Sequence, residues 1–186
     1  MNGFKTAVLV VSLVLGGCAS VPGGGDAGER GIDGVACVGR VAEVIPGLAA
    51  SGNPSLVEKT QLASGKGGVC AAKVFAVTAP VVLYRVFDSA RPYTKYGGWW
   101  SMSRPGTSKT DYRAANAICP EWSNLDRVVA CEVRPGTQIV LGTTQSAVCA
   151  DGSTYAKTAQ TQVFVANDGK AGIVHVGACG EEAVWP

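Results

Sequence analysis

Between Arg85 and Arg113 the chain interleaves six basic residues (Arg85, Arg91, Lys95, Arg104, Lys109 and Arg113) with Tyr93, Tyr96, Trp99 and Trp100. Only two acids, Asp88 and Asp111, fall in the same stretch, in a chain whose formal net charge is +2. Guanidinium groups fork around phosphates and aromatic faces stack on rings, so the pattern suits an anionic ligand that carries a ring. The bland counterpart is a solvated basic face with its tryptophans in the core. One histidine, His175, argues against His-rich zinc sites, and no cysteine pair has CxxC spacing, so no metal is expected. Gly65-Lys66-Gly67-Gly68 lacks the glycine spacing and the Ser/Thr of a phosphate-binding P-loop. With 16 basic against 14 acidic residues, the chain has no excess with which to neutralise a nucleic-acid backbone.

The other chemistry-bearing residue is Cys18. Lys5 precedes an apolar run, Ala7 to Leu15, that is too short to span a bilayer but long enough for the core of a signal peptide. The run ends in Leu15-Gly16-Gly17-Cys18, which resembles the lipobox of bacterial lipoproteins. That resemblance implies cleavage before Cys18, lipidation of its thiol and acylation, palmitate included, of the new N-terminus. Several acyl chains hold a protein on a membrane where one would not. Ala19 stands where an Asp would resemble an inner-membrane retention signal, which points to the outer membrane, facing the periplasm. The expected organisation is a signal peptide over 1–17, a lipidated cysteine with a Gly-rich tether over 18–36, and one globular domain over 37–186. Six further cysteines (Cys37, Cys70, Cys119, Cys131, Cys149 and Cys179) in an oxidising compartment imply up to three disulfides. Cys119–Cys131 is the preferred pair, because Ser123-Asn124 between them reads as a turn.

The elements that must position these groups are mostly strands. Residues 69–77 and 81–87 are apolar and β-branched, with Pro80 between them. Ser108 followed by Asp111 matches a capping box, so a helix is expected from there to about Cys119, where Pro120 stops it. Arg127 to Val133 and Gln138 to Leu141 read as a hairpin around Pro135-Gly136. Thr161 to Ala166 and Gly172 to Val176 read as another around Asp168-Gly169. In the second, Phe164 would face Ile173 and Gln162 would face His175. Val163, Val165, Val174 and Val176 would then share the core side. The opposite face, with Gln162, Phe164, Ile173 and His175, either lines a cleft or lies under a loop. The class is α+β, with antiparallel sheets and one main helix.

The order of these motifs resembles the ADP-ribosyltransferase-like superfamily, which includes NAD glycohydrolase toxins. The resemblance runs over about residues 81–166: Leu83-Tyr84-Arg85-Val86-Phe87 on an early strand, Gly97-Gly98-Trp99-Trp100-Ser101, a helix, then Gln160-Thr161-Gln162 on a late strand. It implies a split antiparallel sheet with NAD in its cleft. Carried over, Arg85 grips the pyrophosphate or ribose and Ser101 holds the nicotinamide ribose. Trp100 stacks on a ring, with Trp99 and His175 beside the cofactor. Gln162 bonds a ribose hydroxyl as the bond to nicotinamide breaks. Transferase members usually carry Glu at the last position. Gln-x-Gln here is closer to the glycohydrolases, and Glu121 is the candidate substitute acid. The competing expectation is a non-catalytic envelope lipoprotein that binds a protein or anionic polymer through the basic aromatic segment.

Overall fold

The computed structural model describes residues 28–186, so the Cys18 lipobox and most of the expected tether lie outside the described residues. Among the described residues, eleven strands and two α-helices make an α+β fold. The five-stranded sheet runs β1(Leu48–Ser51)–β2(Lys73–Val77)–β6(Gln138–Thr143)–β9(Thr161–Val165)–β4(Trp99–Trp100) in space. In the other main sheet, β5(Arg127–Val133) pairs along its length with β3(Val81–Phe87). The far edge of β5 is shared by β10(Val176–Gly177) and β11(Ala183–Val184). A small ladder joins β7(Ala147–Val148) to β8(Thr154–Tyr155). All the strand pairings are antiparallel.

Side-chain alternation gives the two sheets one shared core. Phe75 and Val77, Ile139 and Leu141, and Val163 and Val165 project from the first sheet. They meet Leu83, Phe87, Val129, Val133 and Val176 of the second. The expected core side of β9 is thus observed, with Val174 packed at its margin. The other face of the first sheet carries Val74, Val140 and Phe164, covered by Leu56 and Val57 of α1(Pro54–Thr60). That helix is too short to show a period, but Asn53 caps it, its side-chain oxygen accepting from Leu56 N–H at 3.2 Å. The second helix, α2(Lys109–Asn116), starts on Ser108, whose hydroxyl accepts from Asp111 N–H at 3.2 Å. It ends sooner than expected: Ala117 turns left-handed (φ 48°), and Pro120 begins a separate 3-10 turn, Pro120–Trp122.

Both predicted hairpins are corrected. Residues 127–133 and 138–143 are strands, but Pro135-Gly136 passes the chain from one sheet to the other. β5 pairs with β3, and β6 lies between β2 and β9. Around Asp168 only one bridge forms, Asp168 opposite Ile173, and Asp168 Oδ1 accepts from Lys170 and Ala171 N–H inside the turn. β9 then pairs with β4 and β6, and β10 with β5, so Gln162 faces Gly142 and not His175.

All six cysteines are bonded, as Cys37–Cys70, Cys119–Cys149 and Cys131–Cys179. The preferred Cys119–Cys131 pair is overturned. Residues 123–124 do lie between the two, but the turn leads into β5, which carries Cys131 into the main core. Packed structure also reaches back ahead of Cys37, into the stretch assigned to the tether. Glu29 pairs with Lys73 at 2.6 Å, and Asp33 pairs with Lys157 at 3.0 Å.

Each disulfide closes a loop of 30 to 48 residues, which constrains the unfolded chain. Non-reducing peptide mapping is expected to return these three links and no Cys119–Cys131 peptide. Replacing Cys119 and Cys149 together by Ala is expected to lower unfolding free energy by about 2–4 kcal/mol in urea titration.

Candidate functional site

β4 joins the two sheets. On one side Trp99 and Trp100 pair with Phe164 and Val163 of β9. On the other, Ser101 exchanges backbone hydrogen bonds with Tyr84 of β3, at 2.8 and 2.9 Å. This splice sets Arg85, one residue past Tyr84, beside the end of β9. A cavity of about 180 Å³ opens there, lined by Arg85, Trp99, Trp100, Tyr112, Asn116, Trp122 and Gln162 among others. A second hollow of about 480 Å³ shares Tyr112 and Asn116 as walls and is lined by Ser101, Arg104, Ser108 and Gln160.

Arg85 carries the electrostatics. Its Nε donates to Thr94 O at 2.5 Å and its Nη1 to Trp99 O, while the guanidinium lies 5.9 Å from the Trp100 ring centroid. No carboxylate among the described residues pairs with it. Burial pulls its pKa down from the ordinary guanidinium value to about 10, against a raising effect of Tyr112. A cation desolvated without a counter-charge is costly, and an anion entering the cavity offsets that cost. Gly97 permits the placement, since a Cβ there would overlap the guanidinium.

Gln162 is buried and its amide is oriented by its neighbours. Nε2 donates to Asn116 O at 2.8 Å and to Thr144 Oγ1 at 3.0 Å. Thr144 Oγ1 itself donates to Gln160 O, so it can only accept from Gln162. Both amide protons are engaged, and Oε1 is left as a free acceptor on a cavity-lining side chain. Asn116 repeats the pattern on a smaller scale: its Nδ2 donates to Tyr112 O at 3.0 Å.

The structure therefore brings Arg85, Gln162, Trp99 and Trp100 to one cavity. Ser101 sits at the neighbouring hollow, its hydroxyl 3.5 Å from the Tyr112 hydroxyl. Trp100 belongs to the main core and spends its indole N–H on Gly97 O at 2.8 Å. Trp99 is edge-on to Phe164 at 5.1 Å. His175 is not brought to either hollow: its N–H donates to Asn167 Oδ1 and its carbonyl accepts from Arg134, on the far side of the failed hairpin. Glu121 is exposed and accepts from Ala150 N–H at 2.8 Å, beside sulfurs that are bonded to each other.

Of the six basic residues between 85 and 113, four are tied down within the protein. Besides Arg85, Arg91 pairs with buried Asp88 at 2.9 Å, and Lys95 with Glu182 at 2.7 Å. Arg113 donates to the carbonyls of Ile118, Cys119 and Ser123. The residues missed by sequence reasoning are Tyr112, Asn116 and Trp122. The first two had a signal, since Tyr112 and Asn116 sit four apart on the expected helix. Trp122, after Pro120, had none.

No protein-family model matches the chain, and no curated protein matches it. Among solved structures, that of Tne2 in complex with Tni2 is similar with a TM-score of 0.46 and 17% identity, over 67% of this chain and 98% of that one.

Asp88 underlies one wall of the cavity: it also accepts from Asn124, and the Arg91 it holds donates to Trp122 O at 2.6 Å. Burial pushes its carboxyl up, but Arg91, the Ala90 N–H and Asn124 together outweigh it, and its pKa ends below 3.8. A carboxyl depressed in the folded state stabilises above its unfolded pKa and loses that contribution as pH falls through the folded one. Unfolding free energy is therefore expected to hold from pH 7 to about 5 and to fall below pH 4. Asp88→Asn, measured by the same urea titrations, flattens that fall.

Proposed function

We propose that the cavity binds NAD and that the protein cleaves its nicotinamide–ribose bond, as the resemblance to the ADP-ribosyltransferase-like superfamily implies. The observation that carries the reading is the half-buried, carboxylate-free guanidinium of Arg85 in the same cavity as the oriented Gln162 amide. Arg85 takes a phosphate oxygen of the dinucleotide, a charge-assisted contact in a desolvated setting. Gln162 Oε1 accepts from a ribose hydroxyl. Ser101, at the hollow behind Tyr112, serves the nicotinamide ribose.

In the reaction the C1′–N bond breaks and its electron pair goes to the pyridine nitrogen, which becomes neutral. The sugar develops oxocarbenium character, and the amide oxygen dipole at Gln162 and the hydroxyl it polarises stabilise that charge. A water oxygen bonds to C1′ and its proton passes to solvent, leaving ADP-ribose. A neutral amide at this position fits transfer to water better than activation of a protein acceptor. The proposed setting is the cell envelope, through an acylated Cys18, supported by Lys5, the apolar run and Leu15-Gly16-Gly17. Among the described residues no helix is long and apolar enough to cross a membrane.

Purified oxidised protein incubated with NAD is expected to release nicotinamide, followed by chromatography. Arg85→Ala and Gln162→Ala are each expected to slow release by about 100-fold, the usual loss for one preorganised polar group. Wild type that releases none, or variants as active as wild type, would overturn the reading.

A further inference from the structure

The five-stranded sheet ends at β4, which is joined to β3, and at β1, whose outer edge has no strand beside it. Which backbone groups β1 turns outward follows from register. Val77 spends both of its main-chain groups on the β6 side: its N–H donates to Thr137 O at 2.9 Å and its carbonyl accepts from Gly136 N–H at 2.8 Å. Leu48 stands opposite Val77, so those two are not a hydrogen-bonded pair. Alternation then bonds Ala49 to Ala76 and leaves Ala50, opposite Phe75, with its N–H and C=O turned away from β2. The Leu48 carbonyl faces the same way, while its N–H folds back on Ile45 O at 3.1 Å. Ala49, Ala50 and Ser51 are exposed, and β1 holds no charged residue and no proline. Those are the usual guards of a sheet edge, and this one lacks them.

A hollow of about 770 Å³ adjoins the edge. Ala50 and Gly52 belong to its wall, and Val57 of α1 and Val74 of β2 give it apolar surface. The end of β1 is fixed beside it: Gln138 Nε2 donates to Ser51 Oγ at 2.9 Å, and Gln138 Oε1 accepts from Asn53 Nδ2 at 2.8 Å. The charged residues of the wall are Glu43, Glu58 and Lys73. Lys73 is taken by Glu29 at 2.6 Å, whereas neither Glu43 nor Glu58 forms an ion pair among the described residues. An unpaired backbone edge therefore borders an apolar hollow that carries uncompensated negative charge.

We propose that β1 and this hollow form a docking site for an extended peptide segment of a partner protein, one that carries Lys or Arg among aliphatic residues. The segment adds a strand, its main chain filling the N–H and C=O of Ala50 and the carbonyl of Leu48. Its side chains alternate, so every second one meets the hollow. Aliphatic side chains cover the Val57 and Val74 surface, and the basic one meets Glu43 and Glu58. A second copy of this chain fits less well, because twofold pairing through Ala50 would bring the same two acids of each copy to one edge. The site lies at the opposite edge of the sheet from the Arg85 cavity and does not depend on the NAD reading.

The test is calorimetric titration of the oxidised full chain with the peptide acetyl-Thr-Val-Thr-Lys-Thr-Val-Thr-amide, and with the same peptide carrying Glu in place of Lys. The lysine peptide is expected to bind saturably and about 10-fold more tightly than the glutamate one. Glu43→Gln together with Glu58→Gln is expected to cut that preference to about twofold. Methylating alternate amides of the lysine peptide, in two complementary patterns, removes the donors of one strand edge at a time. One pattern is expected to weaken binding by about 10-fold and the other by no more than about threefold. Ala50→Pro removes the outward donor and spares the β2 ladder, and is expected to weaken the lysine peptide by about 10-fold. Wild type that binds neither peptide, equal affinity for both, or equal effects of the two methylation patterns overturns the proposal. So does a dimer in sedimentation that Ala50→Pro dissolves and the lysine peptide does not, since the edge then belongs to a second copy. If the Ala50→Pro chain does not fold, the methylated peptides decide the strand geometry on wild type.

Discussion

Two backbone hydrogen bonds, between Tyr84 and Ser101, hold the two sheets together at the end where the cavity opens. Without them β3 and β9 would belong to sheets joined only through side chains, and no backbone contact at this end would fix how far apart their polar residues stand. With them, β4 serves both sheets at once, although it is only two residues long. Its neighbours are correspondingly small where backbones converge. Gly97 makes room for the Arg85 guanidinium, and a Cβ on Gly98 would come within 2.5 Å of the Phe164 ring. The motif Gly97-Gly98-Trp99-Trp100-Ser101 thus has a mechanical meaning: two glycines for close approach, two indoles for the walls, and a serine whose main chain makes the join.

The same region carries an electrostatic cost. Arg85 is desolvated and met only by carbonyl dipoles and an indole face, which compensate a full charge poorly. Stability must come from elsewhere, and the three disulfides are placed to supply it. Cys37–Cys70 anchors the N-terminal segment and Cys131–Cys179 the C-terminal one, while Cys119–Cys149 fixes the turn that carries Trp122. An oxidised frame can tolerate a strained polar cavity that a chain of this size held only by its core would tolerate less well.

How far this was legible in the sequence follows from the range of the interactions. Alternation along Thr161–Val165 identified which valines enter the core, because that property is local to one strand. The Ser108 cap was legible for the same reason. Strand partners were not, since Pro135-Gly136 and Asp168-Gly169 have turn chemistry whether the flanking strands pair with each other or diverge into separate sheets. In both places they diverge, and the loop entropy saved by a local hairpin is outweighed by the apolar area buried between sheets. His175 was assigned to the site through one of those hairpins and left it with the register. Arg85 and Gln162, assigned by motif order, share the cavity because of β4, a contact that no spacing rule contains. Cys119–Cys131 failed similarly, with a turn mistaken for a closure.

The neighbours of position 162 suit an amide better than a carboxylate. A glutamate in this frame would lose both donated hydrogen bonds and would set a negative charge against the Asn116 carbonyl. It would also find Arg85 in the same cavity and would draw that guanidinium into an ion pair. With glutamine the cavity stays positive, the acceptor stays neutral, and the end of α2 is tied to β9 and β6 through one side chain. The surrounding acceptors thus select the amide, and the choice of side chain at this position is a property of the whole local network.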